Sequence, residues 1–310
     1  MSKLIQRFIL LGALLLLTLF PLSATAYKQD KIRVVVSFSI LADLVKNVGG
    51  DHISMTTFVG PNTNTHTYEP TPHDVQALRN AQIIFINGLH LEGFIDRLIT
   101  ASDTKAPLIE ASANIPPLET KTQEQNAQQH HHNNNIDPHA WQTIPNVEIY
   151  IKNIAAAFCK IDQQSCISYN QNAETYLQKL KVTQEKLKTK IATIPKNQRT
   201  IITSHDAFGY FAQEYGFTIL APQSTSTEAE ATPADVAKLI KQIKTNKAAA
   251  LFVENISNPR LIKQIANETG FKIGGTLYSD ALSNENGPAA TYLDMMEHNV
   301  NTIINAITKH

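Results

Sequence analysis

From residue 32 onward the chain alternates short apolar bursts with stretches of helical spacing. Ile32–Phe38 is rich in β-branched residues and bounded by turns, the pattern of a buried strand. Ile40, Leu41, Leu44 and Val45 then recur at i, i+1, i+4 and i+5, one face of a helix that stops at Gly49-Gly50. Residues 52–59 and 82–86 read as further strands. A helix over 71–80 lies between them and opens on Pro72, where a missing N–H costs nothing. Strand, helix and strand at this spacing predict parallel βαβ units. The second half repeats the logic, with strands expected over 200–203, 217–220, 249–253 and 271–277 and helices over 207–215, 233–244, 259–269 and 288–307. Between the halves a helix is expected over 147–158 and a longer one from about 172 to 194. In the longer one Leu177, Leu180, Leu187, Ile191 and Ile194 keep 3/4 spacing among Lys, Gln, Thr and Glu. At 1.5 Å per residue it is a rod of roughly 35 Å.

The predicted class is α/β: two α/β lobes with parallel-type sheets joined by one long connecting α-helix, against the alternative of a single continuous sheet. The expected division is an export signal over 1–26, an N-terminal lobe over 27–171, the connecting helix over 172–195 and a C-terminal lobe over 196–310. The signal reading rests on Lys3 and Arg7, the apolar run FILLGALLLLTLF, and Ala24-Thr25-Ala26 as a cleavage site. That run is shorter than the roughly 18–20 residues that span a bilayer, and no cysteine follows it for lipid attachment. A soluble periplasmic protein is expected. Residues 111–136 are polar and aperiodic and carry His130-His131-His132, which predicts a loop and a possible auxiliary metal collector.

Charge and cysteine content narrow the partners. With 27 basic and 27 acidic residues the net charge is zero, which gives no electrostatic footprint for nucleic acid or anionic membrane. Cys159 and Cys166 flank the segment KIDQQS outside C-x-x-C spacing. In an oxidising compartment they could close a local disulfide, and two free thiols are the alternative.

Four residues stand out as candidate metal ligands. His66 lies in the polar loop PNTNTHTYEPTPHD, His139 in DPHAW, His205 directly after the strand TIITS, and Asp280 just after the strand GFKIGGTL. Ligands of open α/β sheets collect at the carboxyl ends of strands, where at least three of these four are expected. Three imidazoles and a carboxylate form a set that suits Zn²⁺ and tolerates Mn²⁺ or Fe²⁺. Four protein ligands close the site, which fits binding and leaves no open position for catalytic water. Asp137 and Glu254 are candidates to accept the remaining N–H of a ligating imidazole. His73 and His90 are expected in structural or surface roles, His90 at the start of a helix.

With these motifs in place, the chain resembles the solute-binding proteins of zinc/manganese ABC transporters. The resemblance rests on HTYEPTPHD, NGLHLEGF, DPHAW, SHDAFGYFAQEYG, STSTEAEATPADVAKL and LYSDALS, in the family's order. It implies two lobes on a rigid helix, with His66, His139, His205 and Asp280 at the family's ligand positions. It also implies a non-enzymatic, monomeric role: capture of a divalent metal and delivery to a membrane permease coupled to an ATPase. Manganese-leaning members carry Glu at the third ligand position, so His205 tilts the expectation toward zinc, with manganese as the alternative. Two rival readings are a periplasmic zinc hydrolase, with Glu69 or Asp206 as base, and a metal-binding adhesin.

Overall fold

The computed structural model describes residues 30–120, 136–246 and 248–308, so the export segment and the His130–His132 tract lie outside the described residues. Lys31–His310 is one compact unit. Within it two four-stranded parallel sheets replace the alternative of one continuous sheet. The first contains β1 (Ile32–Phe38), β2 (Ile53–Val59), β3 (Ile83–Ile86) and β4 (Leu108–Glu110) in the order β2-β1-β3-β4. The second contains β5 (Thr200–Ile202), β6 (Thr218–Leu220), β7 (Ala250–Glu254) and β8 (Ile273–Leu277) in the order β6-β5-β7-β8. The two lobes therefore share one topology. Their central strands are almost wholly apolar because helices cover both faces of a parallel sheet; β3, for example, is buried at every position.

In the first lobe, α1 (Ser39–Gly49) buries Ile40, Leu41, Leu44, Val45 and Val48 and stops at Gly50, whose φ of 55° suits a residue without Cβ. Helix α2 (Pro72–Asn80) starts on a capping box: the Thr71 N–H donates to Asp74 Oδ2 at 2.7 Å. Helices α3 (Ile95–Ser102) and α4 (Ile144–Ile161) complete this lobe. His90 does not open α3. It is exposed in the preceding turn with φ 65°, and Leu89 beside it has φ 53°, so the chain reverses before the helix can begin.

The long helix α5 runs Cys166–Ala192, about 40 Å, and packs on α1 and α4 at one end and on α9 (Tyr292–Thr308) at the other. It begins six residues earlier than its leucine pattern suggests because tyrosines extend the buried seam. Tyr169 stacks on Phe158 at 5.0 Å and donates to Asp162 Oδ2 at 2.9 Å, and Ala173 and Tyr176 continue the same face. Cys159 and Cys166 form a disulfide across the α4–α5 turn. The second lobe adds α6 (Gly209–Tyr215), α7 (Pro233–Asn246) and α8 (Arg260–Thr269).

The apolar interior divides unevenly. One continuous core runs through the first lobe, α5, the inner face of the second sheet and α9. A separate cluster of Ile202, Val236, Leu239, Ile243, Ala248, Leu251, Ile262, Ile265 and Ala266 lies under α7 and α8.

Candidate metal centre

Each candidate ligand is delivered by a loop at the carboxyl end of a sheet. In the second lobe the crossovers diverge between β5 and β7, the topological switch point where a crevice forms. His205 lies three residues beyond β5, Glu254 is the last residue of β7, and Asp280 lies three residues beyond β8. His66 comes from the loop after β2. There its N–H donates to Asn64 Oδ1 at 3.0 Å, and the Tyr68 hydroxyl donates to Asp74 Oδ2 at 2.9 Å, which pins the loop to the start of α2. His139 comes from the segment leading into α4, where the Asn87 side-chain amide donates to the Pro138 carbonyl at 2.9 Å.

The structure brings all four together. One donor atom from each lies within 4.8 Å of the others, and the residues are 8% (His66) or 0% exposed. The Asp280 carboxylate is the hub. Its Oδ2 is 3.3 Å from His66 Nε2 and 3.2 Å from His205 Nε2, and its Oδ1 is 3.5 Å from His139 Nε2. A tetrahedral ion with ligands at about 2.0–2.1 Å has edges of roughly 3.3–3.4 Å, so the carboxylate–imidazole separations are close to those of a coordination polyhedron. The three Nε2 atoms and both Asp280 oxygens find no well-aligned hydrogen-bond partner among the described residues, which is expensive for buried polar atoms unless a cation joins them.

Behind the imidazoles stand the two carboxylates that the sequence suggests. Asp137 Oδ1 lies 2.7 Å from His139 Nδ1 and also accepts the His139 N–H at 2.9 Å. Glu254 Oε2 lies 2.6 Å from His205 Nδ1, and its Oε1 accepts the backbone N–H groups of Ser204 (2.7 Å) and His205 (2.9 Å). Each carboxylate thus fixes the ring and turns Nε2 inward. Burial alone would lower the His205 pKa, but Glu254 and Asp280 on either side outweigh it and hold the imidazole well above its ordinary value. Burial would likewise raise Asp280; the facing His205 and His139 reverse this and hold it well below the carboxylate range. His66 is lowered, chiefly by burial.

Two consequences for neighbouring residues follow. A Cβ at Gly209 would collide with Asp137 Oδ2. Gly209→Ala is therefore expected to push the Asp137 carboxylate off His139 and weaken metal binding about 10–100-fold, read by chelator competition. Glu92, which the sequence reading passed over within NGLHLEGF, fills the equivalent crevice of the first lobe. It accepts from Ser37 Oγ at 2.7 Å and from the Asn87 N–H at 2.6 Å, and burial pushes its carboxyl up to about 7. His73 is exposed on α2, and neither it nor His90 joins the cluster.

Residues 34–306 match the family described as zinc-uptake complex component A, periplasmic. The chain belongs to this family. Family membership makes it a periplasmic metal-binding subunit of an ABC importer, a solute-binding protein and not an enzyme. It is 32% identical over 287 residues to the manganese-binding lipoprotein MntA of Halalkalibacterium halodurans, covering 93% of this chain and 92% of that one. It is 33% identical over 273 residues to the iron-binding protein YfeA of Yersinia pestis, covering 88% and 85%. Among solved structures it superposes on the periplasmic zinc binding protein TroA of Treponema pallidum with a TM-score of 0.80 at 29% identity, covering 89% and 99%.

Proposed function

We propose that His66, His139, His205 and Asp280 together ligate one divalent transition-metal ion as cargo, and that this ion is zinc, with manganese the alternative. The observation that carries the reading is the convergence of four buried side chains whose inward atoms lack hydrogen-bond partners. Three neutral imidazole nitrogens favour zinc over a harder ion. The Asp280 carboxylate turns both oxygens toward histidines, however, which lets it chelate a larger, five-coordinate ion. Relatives named for manganese, iron and zinc are in keeping with that latitude. On this reading residues 1–26 direct export, the two lobes flank the connecting helix α5, and the monomer hands its ion to a permease that docks on both lobes and is driven by an ATPase.

The test is to strip the purified protein with chelator and titrate Zn²⁺ and Mn²⁺ while following thermal unfolding. Zinc at 100 times its Kd is expected to add about 2.7 kcal/mol. One zinc per chain that manganese does not displace supports a zinc importer. Equal binding of manganese makes zinc a shared cargo, and no stoichiometric metal refutes the reading.

A further inference from the structure

By sequence Asp280 belongs to the second lobe, where Asn255 donates to the Ala281 carbonyl at 3.1 Å and Asn299 exchanges two bonds with Tyr278. Ser279 and Leu282, however, are bonded to the first lobe. The Ser279 carbonyl accepts two side-chain N–H bonds, from Trp141 Nε1 at 2.9 Å and from Gln142 Nε2 at 2.7 Å. All three residues are 0% exposed. On the other side of Asp280, the Leu282 N–H donates to Ser39 Oγ at 3.1 Å, and the Leu282 carbonyl accepts the Asn62 N–H at 2.9 Å. Asp280 thus sits at the crown of a short arch whose two feet are pinned to the first lobe. Trp141 and Gln142 follow His139 by two and three residues, in the short 3₁₀ turn Ala140–Gln142, so the segment that supplies one imidazole also grips the carboxylate's backbone. The Tyr292 hydroxyl closes the arrangement by donating to the Trp141 carbonyl at 2.9 Å.

Gln142 carries a buried Oε1 with no hydrogen-bond partner among the described residues. An apolar side chain of similar size would avoid that penalty, so what glutamine contributes at this position is its N–H. Two donors on one carbonyl fix the plane of the peptide between Ser279 and Asp280, and rotation about that peptide is what would swing the carboxylate away from the imidazoles.

We infer that Gln142 and Trp141 are positioning residues of the metal centre: by gripping the Ser279 carbonyl they hold the Asp280 carboxylate against the three imidazoles and couple it mechanically to His139. The inference rests on the four-ligand reading above. Asp280 and His139 form one fixed unit of the site, so that neither moves without the other. A simple parting of Asp280 from the first lobe would break all four bonds of the arch.

The test compares wild type, Gln142→Leu, Trp141→Phe and Asp280→Ala as full-length mature proteins. Zinc affinity and dissociation rate are read by chelator competition, the Co²⁺ absorption spectrum reports the ligand field, and thermal unfolding of the stripped proteins reports the fold. Gln142→Leu and Trp141→Phe are expected to keep one metal per chain, lose it about 10–100-fold faster and shift the Co²⁺ bands. If Asp280→Ala loses metal but both arch variants keep wild-type rates and spectra, the grip is packing alone and the inference is overturned. If Asp280→Ala binds like wild type, the ligand reading itself fails, whatever the arch variants do. Should Gln142→Leu not fold, Ser39→Ala loosens the other foot of the arch, and the same kinetic and spectral shift is expected of it.

Discussion

Asp280→Ala is expected to abolish tight metal binding, the largest effect of any single substitution in this protein. Asp280 faces all three imidazoles at 3.2–3.5 Å and carries the one negative charge among the four proposed ligands. Removing it leaves three neutral donors and takes away the one carboxylate that faces the dication directly, in a site closed to water. Under zinc that adds about 2.7 kcal/mol to wild type, even a hundredfold loss of affinity would leave only about 0.4 kcal/mol of stabilisation. Asp280→Asn preserves the shape and removes the charge, so it is expected to fall with the alanine variant if charge governs and to stay near wild type if packing does. His205→Ala is expected to lose zinc as well. Retention of one tight zinc by Asp280→Ala would move the cargo elsewhere in the chain, with the His130–His132 tract the first place to look.

The second large effect is on protons. In the stripped protein His205 is held protonated between Glu254 and Asp280, whereas His66 is already neutral near pH 7. A ligating imidazole must be neutral, so the incoming ion has to expel the His205 proton. Calorimetry in buffers of different ionisation enthalpy is expected to show about one proton released per zinc at pH 7, and affinity is expected to fall about tenfold per pH unit on acidification through neutrality. The stripped protein behaves in the opposite sense. The raised His205 contributes stability in full below its unfolded value of 6.5, and that contribution is lost as pH climbs through the folded value. The depressed Asp280 contributes above its unfolded value of 3.8 and loses this as pH falls through its own folded value. Towards alkaline pH the stripped protein should therefore weaken while the increment from zinc grows. Binding with no proton release would show that His205 is neutral before the metal arrives.

Much of this was legible in the chain because local pattern and final environment agree. Strand β1 occupies the span its β-branched run predicts, and the helices after it follow their apolar faces. β4 escaped notice because it is a three-residue edge with Leu108 39% exposed, too short and too wet to show alternation. α3, expected to open at His90, begins five residues later, at Ile95, because a left-handed turn over Leu89 and His90 comes first. The four candidate ligands could be picked out because each sits in a polar loop near the end of an apolar strand or helix, and Asp137 and Glu254 because one neighbours a ligand and the other ends a strand. Gln142, Ser39 and Asn62 gave no such sign. Their value lies in contacts with residues more than a hundred positions away, fixed only when the two lobes close on α5. The single tryptophan was the one available hint, since a Trp two residues beyond a candidate histidine has to find a partner for its N–H.

The uneven division of the apolar interior bears on how such a protein can be both rigid and quick to exchange its cargo. The elements that carry His66, His139 and Asp280 rest largely on the continuous core. By contrast α7, α8 and the strand faces beneath them rest on a cluster of nine side chains. A layer that small is expected to open at a fraction of the global unfolding free energy. The segment over 221–232 joins β6 to α7, and its Thr227 hydroxyl accepts the Asn64 side-chain amide at 2.8 Å beside His66. The loop that carries His66 is thereby tied to the more thinly packed part of the molecule. If ions exchange through this layer, native-state hydrogen exchange is expected to show α7 and α8 opening far more readily than α5, with the scaffold around His139 and Asp280 protected throughout.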